Sequence, residues 1–70
     1  MKLDYLFEEV SLDELIIKIN QYFGMGMRII HLKRSVFEQY EVRPQKRMFI
    51  PEICRYRIVA QHGKYFFGKT

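Results

Sequence analysis

The feature that most constrains this chain is a helix with matching start and stop signals, between Ser11 and Gly24. Ser11 is a favoured N-cap residue, and Glu14 three positions later completes a capping box. Gly24 suits the left-handed conformation in which many helices end. Apolar residues recur between these signals at helical spacing, which predicts an amphipathic helix over about residues 12–23. Its apolar face consists of Leu12, Leu15, Ile16, Ile19, Tyr22 and Phe23.

Strand patterns flank this helix on both sides. Residues 3–8 alternate between apolar and polar positions, and Met27–Leu32 is rich in β-branched residues. Ile53–Gln61 alternates again, with Arg55 and Arg57 on the face opposite Tyr56 and Ile58. His62-Gly63 follows where a tight turn is expected, and Lys64–Gly68 forms the return strand. The sequence therefore predicts a C-terminal β-hairpin.

The stretch before Pro44 is open to more than one interpretation. Ser35 and Glu38 form a second capping-box pattern, which favours a short helix from Val36 to Glu41 after the preceding strand. The apolar positions also fit further strands, or one helix spanning residues 29–40. We expect the strand followed by the short helix, ending before Pro44 because a residue before proline disfavours helical geometry. A short run at residues 48–50, stopped by a proline, is typical of an edge strand.

These elements indicate an α+β fold, in which one amphipathic helix packs on a small, mostly antiparallel sheet with a C-terminal hairpin. The alternative is two helices followed by a β-hairpin. With 70 residues the chain is expected to form a single domain over residues 1–70. A second copy of the chain is one way in which so small a core gains stability.

Composition excludes several classes of protein. The lone Cys54 cannot form an internal disulfide, and the two histidines, His31 and His62, are too far apart in sequence for a local metal motif. No signal peptide and no apolar stretch of about 20 residues is present, so we expect no membrane partner and a cytoplasmic location. No phosphate-binding glycine loop or catalytic motif is present, so we expect no cofactor and no catalytic or metal site.

Charge is distributed unevenly along the chain. Residues 1–26 have two basic and five acidic side chains, and residues 27–70 have ten basic and three acidic ones, giving net charges of −3 and +7. This asymmetry favours a basic face for nucleic acid or an acidic protein. Aromatic residues accompany the cations, a combination typical of nucleic-acid binding. The candidate binding residues are Arg28, Lys33, Arg34, Arg43, Lys46, Arg47, Arg55, Arg57, Lys64, Tyr65 and Phe66.

We therefore expect a small non-catalytic binding module, with nucleic acid slightly favoured as partner because arginine binds phosphate bidentately and stacks. The first alternative is a regulator or inhibitor, of the kind that phages and mobile elements encode, which docks on an acidic protein or self-associates. The second is a small enzyme similar to bacterial ribonuclease toxins, with Arg55, Arg57, His62, Lys64 and Tyr65 as candidate residues.

One stretch carries a local resemblance. Residues 26–40, about a fifth of the chain, pair a basic strand with a Ser-capped segment that ends in an aromatic residue. This arrangement is similar to the tail of excisionase-type winged DNA-binding domains, which implies a strand leading into a short helix. Those domains carry a helix-turn-helix ahead of the tail, and only one helix precedes it here. The resemblance therefore does not indicate membership of that family.

Overall fold

The computed structural model describes residues 3–32, 38–45 and 55–70. These residues form one helix and five strands, so the predicted α+β class is confirmed. The elements, in chain order, are β1 (Asp4–Glu9), α1 (Leu12–Phe23), β2 (Met27–Leu32), β3 (Gln39–Pro44), β4 (Tyr56–Gln61) and β5 (Lys64–Lys69).

Helix α1 begins and ends where its capping residues predict. The hydroxyl oxygen of Ser11 accepts a hydrogen bond from the backbone N–H of Glu14 at 3.5 Å. At the other end Gly24 is left-handed, with φ 68°, and its N–H donates to the carbonyl oxygens of Asn20 and Gln21. The Asn20 side-chain oxygen then accepts from the N–H of Met27 at 3.0 Å, which ties the end of the helix to the start of β2.

The five strands form one antiparallel sheet in the order β1-β5-β4-β3-β2. Strands β2 to β5 follow one another as neighbours, and β1 lies beside β5 at the far edge. Because β1 and β2 are the two outer strands, α1 crosses the sheet from one edge to the other. Its crossing covers one face of the sheet, and its contacts reach β1, β2 and β5.

The core lies between α1 and the face that it covers. Leu15 and Ile19 of the helix are fully buried against Ile58 and Phe67 of the central strands. Fully burying such a side chain stabilises a fold by about 1.5–3 kcal/mol. Aromatic rings surround this centre, and the Phe67 ring stacks on both Phe7 and Tyr56 with centroids 5.7 Å apart. The helix-covered face is thus the apolar face of the sheet.

The predicted C-terminal hairpin is confirmed. Strands β4 and β5 pair from Tyr56↔Lys69 to Gln61↔Lys64, leaving His62 and Gly63 as a two-residue loop. Both loop residues have positive φ, 52° and 74°. A type I′ turn requires this conformation at both central positions, and glycine adopts it without steric cost.

Strand β1 is present but is less regular than its alternation predicts. Its pairing with β5 shifts between Tyr5 and Phe7, where a β-bulge interrupts the ladder. A bulge inserts one residue and reverses the side on which the next side chains point. Phe7 therefore joins the core, whereas Tyr5 lies on the opposite face against Phe66.

The prediction for the segment before Pro44 was wrong in part. Residues 39–41, expected as the end of a short helix, belong to strand β3, which pairs with both β2 and β4. Ladder hydrogen bonds on both sides and burial of Val42 outweigh a local capping signal. The start of that expected helix, the run at residues 48–50 and Cys54 lie outside the described residues.

No helix in the described part of the chain has the length and apolar character that a bilayer crossing requires.

Candidate nucleic-acid interface

The candidate interface lies on the second face of the sheet, which we define as the face opposite α1. Among the described elements, no helix or strand packs on it. Alternation along each strand decides which residues it carries. At its centre Val59 is 7% exposed and lies between Gln39 on β3 and Phe66 on β5. The other members are Tyr5, Glu8, Arg28, Ile30, Leu32, Glu41, Arg43, Arg57, Gln61, Lys64 and Gly68.

Three arginines meet at one end of this face, and we call them the arginine row. Arg28 and Arg43 are direct cross-strand partners on β2 and β3. Arg55 lies one residue before β4, next to Arg43 when the β3–β4 register is extended by one position. Its carbonyl oxygen accepts a 2.8 Å hydrogen bond from the N–H of Thr70, which holds its backbone beside the end of β5. All three arginines are exposed.

The electrostatics of the arginine row favour an anion. Like charges directly opposite each other on neighbouring strands repel. Of the three arginines in this row, only Arg43 has an ion pair within the described residues, a 3.1 Å contact with Glu41. Arg57 lies one position further into the face, and its Nη1 donates to Gln39 Oε1 at 3.3 Å. Among the described side chains, this end of the face therefore has four guanidinium groups and one carboxylate.

Two aromatic rings lie on the same face, at the opposite side of the sheet. The Tyr5 ring is 60% exposed and lies 5.2 Å from the half-buried Phe66 ring at an angle of 45°. They line a shallow pocket of about 170 Å³ together with Leu6, Phe7 and Glu8. Glu8 is paired across β1 and β5 with Lys64, whose Nζ lies 3.5 Å from Oε2. An exposed ring that a second ring supports is available for stacking on a ligand.

The structure brings together only part of the predicted set. Arg28, Arg43, Arg57 and Phe66 share the second face, with Arg55 at its end. Alternation along β4 predicts this side for Arg55 and Arg57, and the pairing of β2 with β3 adds Arg28 and Arg43. Lys64 lies on the same face but at the hairpin end, next to Glu8. Tyr65 is on the other face, where it packs against the core. It therefore cannot act beside Phe66. Lys33, Arg34, Lys46 and Arg47 lie outside the described residues.

The residues of the ribonuclease alternative do not converge. Arg57 is paired with Gly68, whereas His62 lies in the turn. These positions are separated by about 16 Å along β4 at 3.3 Å per residue. Tyr65 faces the core side of the sheet, away from Arg57. A general acid and a general base act on atoms of the same scissile bond, and the described positions of Arg57, His62 and Tyr65 do not bring these side chains together.

A separate polar cluster connects the ends of β2 and β3. Tyr40 donates its hydroxyl to Glu38 Oε1 at 2.6 Å, and His31 Nε2 lies 3.7 Å from the same oxygen. The His31 and Tyr40 rings are cross-strand neighbours, with centroids 5.0 Å apart. The hydrogen bond to the Glu38 carboxylate, with burial and the carboxylate charge, raises the pKa of Tyr40 to about 12.

Sequence reasoning missed Tyr5, Gln39 and Glu41 as members of the candidate surface. Regular alternation over residues 3–8 predicts the same side for Tyr5 and Phe7, because the bulge between them carries no sequence signal. Gln39 and Glu41 were assigned to a helix. Strand β3, which the sequence offered only as the alternative, places them beside Arg57 and Arg43.

Comparisons with family models, with curated protein sequences and with solved structures found no match to this chain. The described residues include no cluster of three or more His, Cys, Asp or Glu side chains able to hold a metal ion.

Proposed function

We propose that this chain is a non-catalytic binding module that holds nucleic acid on the second face of its sheet. The observation that supports the proposal is the arginine row on the same face as the Tyr5–Phe66 ring pair. Guanidinium groups bind phosphate oxygens bidentately, and exposed rings stack on bases. An acidic protein would use the cations, but it has no need of an exposed ring pair on the same face.

The test is fluorescence anisotropy with labelled single- and double-stranded oligonucleotides, at low and at physiological salt. Binding that persists at physiological salt is expected, because non-specific attraction to any basic protein weakens steeply with salt. Binding seen at low salt alone would contradict the proposal and favour an acidic protein partner. Gel analysis of labelled RNA after incubation tests the non-catalytic part, for which intact RNA is expected.

A charge-matched pair of variants locates the surface. Arg28→Ala with Arg55→Ala removes two exposed cations that have no ion pair within the described residues. We expect affinity to fall roughly 10- to 100-fold, since losing one exposed contact at each of the two arginines costs about 0.5–1.5 kcal/mol apiece. Lys18→Ala with Lys69→Ala removes the same charge from the helix-covered side and should leave affinity within about threefold. Equal losses in the two double variants would remove the second face from the proposal.

A further inference from the structure

We infer that the nucleic acid held by this face is single-stranded, with its phosphates at the arginine row and a base stacked on Tyr5. This inference rests on the function proposed above and names the form of the ligand. It follows from the width of the sheet, the exposure of Tyr5 and the separation of charge across the face.

The width of the sheet excludes its entry into the major groove of a duplex. Five strands about 4.8 Å apart place the outer strands about 19 Å apart. The major groove of B-DNA is about 12 Å wide and admits a helix or a two-stranded ribbon, and that of A-form RNA is narrower still. The second face therefore touches a B-form duplex through its phosphates alone. An unpaired strand, in contrast, can lie across all five strands with its bases turned toward the protein.

Tyr5 has the features of a stacking platform. Its ring is 60% exposed, although it is held in place by Phe66 with centroids 5.2 Å apart. The bulge in β1 turns it to this face, away from the core that Phe7 enters. Duplex bases are already stacked on their neighbours, so an exposed ring gains a partner only from an unpaired base.

The distribution of charge indicates which side of the second face holds the phosphates of the bound nucleic acid. The Tyr5 side of the sheet carries Glu8, whose charge Lys64 balances, so this side does not attract phosphate. The arginine row, which begins on β2 and β3, attracts phosphate. From Arg28 on β2 to Tyr5 on β1 there are four strand spacings, about 19 Å, which at the rise of about 3.4 Å for stacked nucleotides corresponds to at most roughly six nucleotides.

The experiment measures binding of the intact chain to oligothymidines of about three, six, nine and twelve nucleotides and to a duplex of the longest length. We expect affinity to rise steeply up to about six nucleotides and little beyond, with the single strand preferred over the duplex. Tyr5→Leu should weaken single-strand binding roughly 5- to 100-fold and leave duplex binding unchanged. Tyr5→Phe keeps the ring and should bind as the wild type does.

Tyr22→Leu is the matched control, because Tyr22 is also half-exposed, at 50%, but lies on the helix. Circular dichroism establishes that each variant is folded, and the length series on the unaltered chain is an independent test. One set of results would overturn the inference and leave the proposed function standing. In it, the chain binds the single strand and the duplex equally, Tyr5→Leu changes neither affinity, and Arg28→Ala with Arg55→Ala weakens both. Absence of binding to either form at physiological salt would overturn both.

Discussion

At the scale of single residues, the Tyr40 hydroxyl has the most strongly perturbed environment in the described part of the chain. It donates to a carboxylate oxygen of Glu38, which also faces His31 across the strands. Removing the phenol proton would leave two negative groups 2.6 Å apart with no hydrogen between them. The pKa of Tyr40 is therefore raised from 10.0 to about 12.

This shift predicts a pH dependence of stability. A group whose pKa is raised by folding stabilises the fold fully below its unfolded pKa, and that contribution is lost as pH rises through the folded pKa. The Tyr40 contribution should therefore be present below pH 10 and disappear toward about pH 12. Denaturant titrations of the wild type and Tyr40→Phe should show a difference in unfolding free energy that shrinks over this interval.

Absorbance titration of the tyrosines provides the control for that prediction. The step at the highest pH should be absent in Tyr40→Phe and should move toward the ordinary tyrosine pKa in Glu38→Gln. If all the tyrosines of the wild type titrate together near pH 10, the Tyr40–Glu38 hydrogen bond does not persist in solution.

At the scale of elements, the structure depends on how β1 docks against β5. These strands come from the two ends of the chain and pair through Asp4↔Lys69 and the positions that follow. At Gly68 the backbone of β1 approaches so closely that an added Cβ would lie 2.2 Å from the Asp4 carbonyl oxygen. Only glycine permits that approach, so one residue position controls attachment of the outer strand.

Gly68→Ala should therefore destabilise the fold by about 2 kcal/mol or more, because the clash is with backbone that cannot rotate away. Gly26→Ala is the matched control, since its added Cβ would meet only the mobile end of Gln45 at 3.3 Å. Urea unfolding of both variants measures the difference. A Gly68 variant as stable as the Gly26 variant would mean that β1 does not pair in this register in solution.

At the scale of the whole molecule, the charge asymmetry of the sequence becomes an asymmetry in space. The acidic residues Asp4, Glu8 and Glu9 lie on β1, one edge of the sheet, and Asp13 and Glu14 follow in the first turn of α1. The arginine row begins at the opposite edge, on β2. The crossing of α1 over the sheet carries the chain from the acidic strand β1 to the opposite edge, and so separates the carboxylates of β1 from the arginine row.

This separation predicts how salt should act on the proposed binding. Each phosphate neutralised on a single strand contributes about −0.7 to the slope of log affinity against log salt concentration. Arg28→Ala with Arg55→Ala should reduce the magnitude of that slope by about 1.4, whereas Lys18→Ala with Lys69→Ala should leave it unchanged. Anisotropy titrations over a series of salt concentrations measure both slopes. An unaltered slope in the arginine variant would place the phosphates elsewhere.

Much of the secondary structure could be predicted because its causes are local. Ser11 and Gly24 bound the helix within the sequence itself, and the capping geometry depends on residues a few positions away. The same holds for the His62-Gly63 turn, which joins two alternating strands directly. The prediction that arginines alternate away from the core along β4 follows from the period of a strand, and Arg57 lies on the face opposite Tyr56 and Ile58.

The helix, the hairpin and the uneven charge are thus determined by the sequence alone, because each depends on neighbours along the chain. The tertiary structure decided what long-range pairing controls. Strand β3 replaced the expected helix at residues 39–41 because it has a partner on both sides. The bulge in β1 moved Tyr5 to the second face, and pairing of β1 with β5 put the acidic residues of β1 at the edge opposite β2, where the arginine row begins. The bulge and the pairing of β1 with β5 have no local signal, and the choice of strand over helix at residues 39–41 depends on partner strands on both sides.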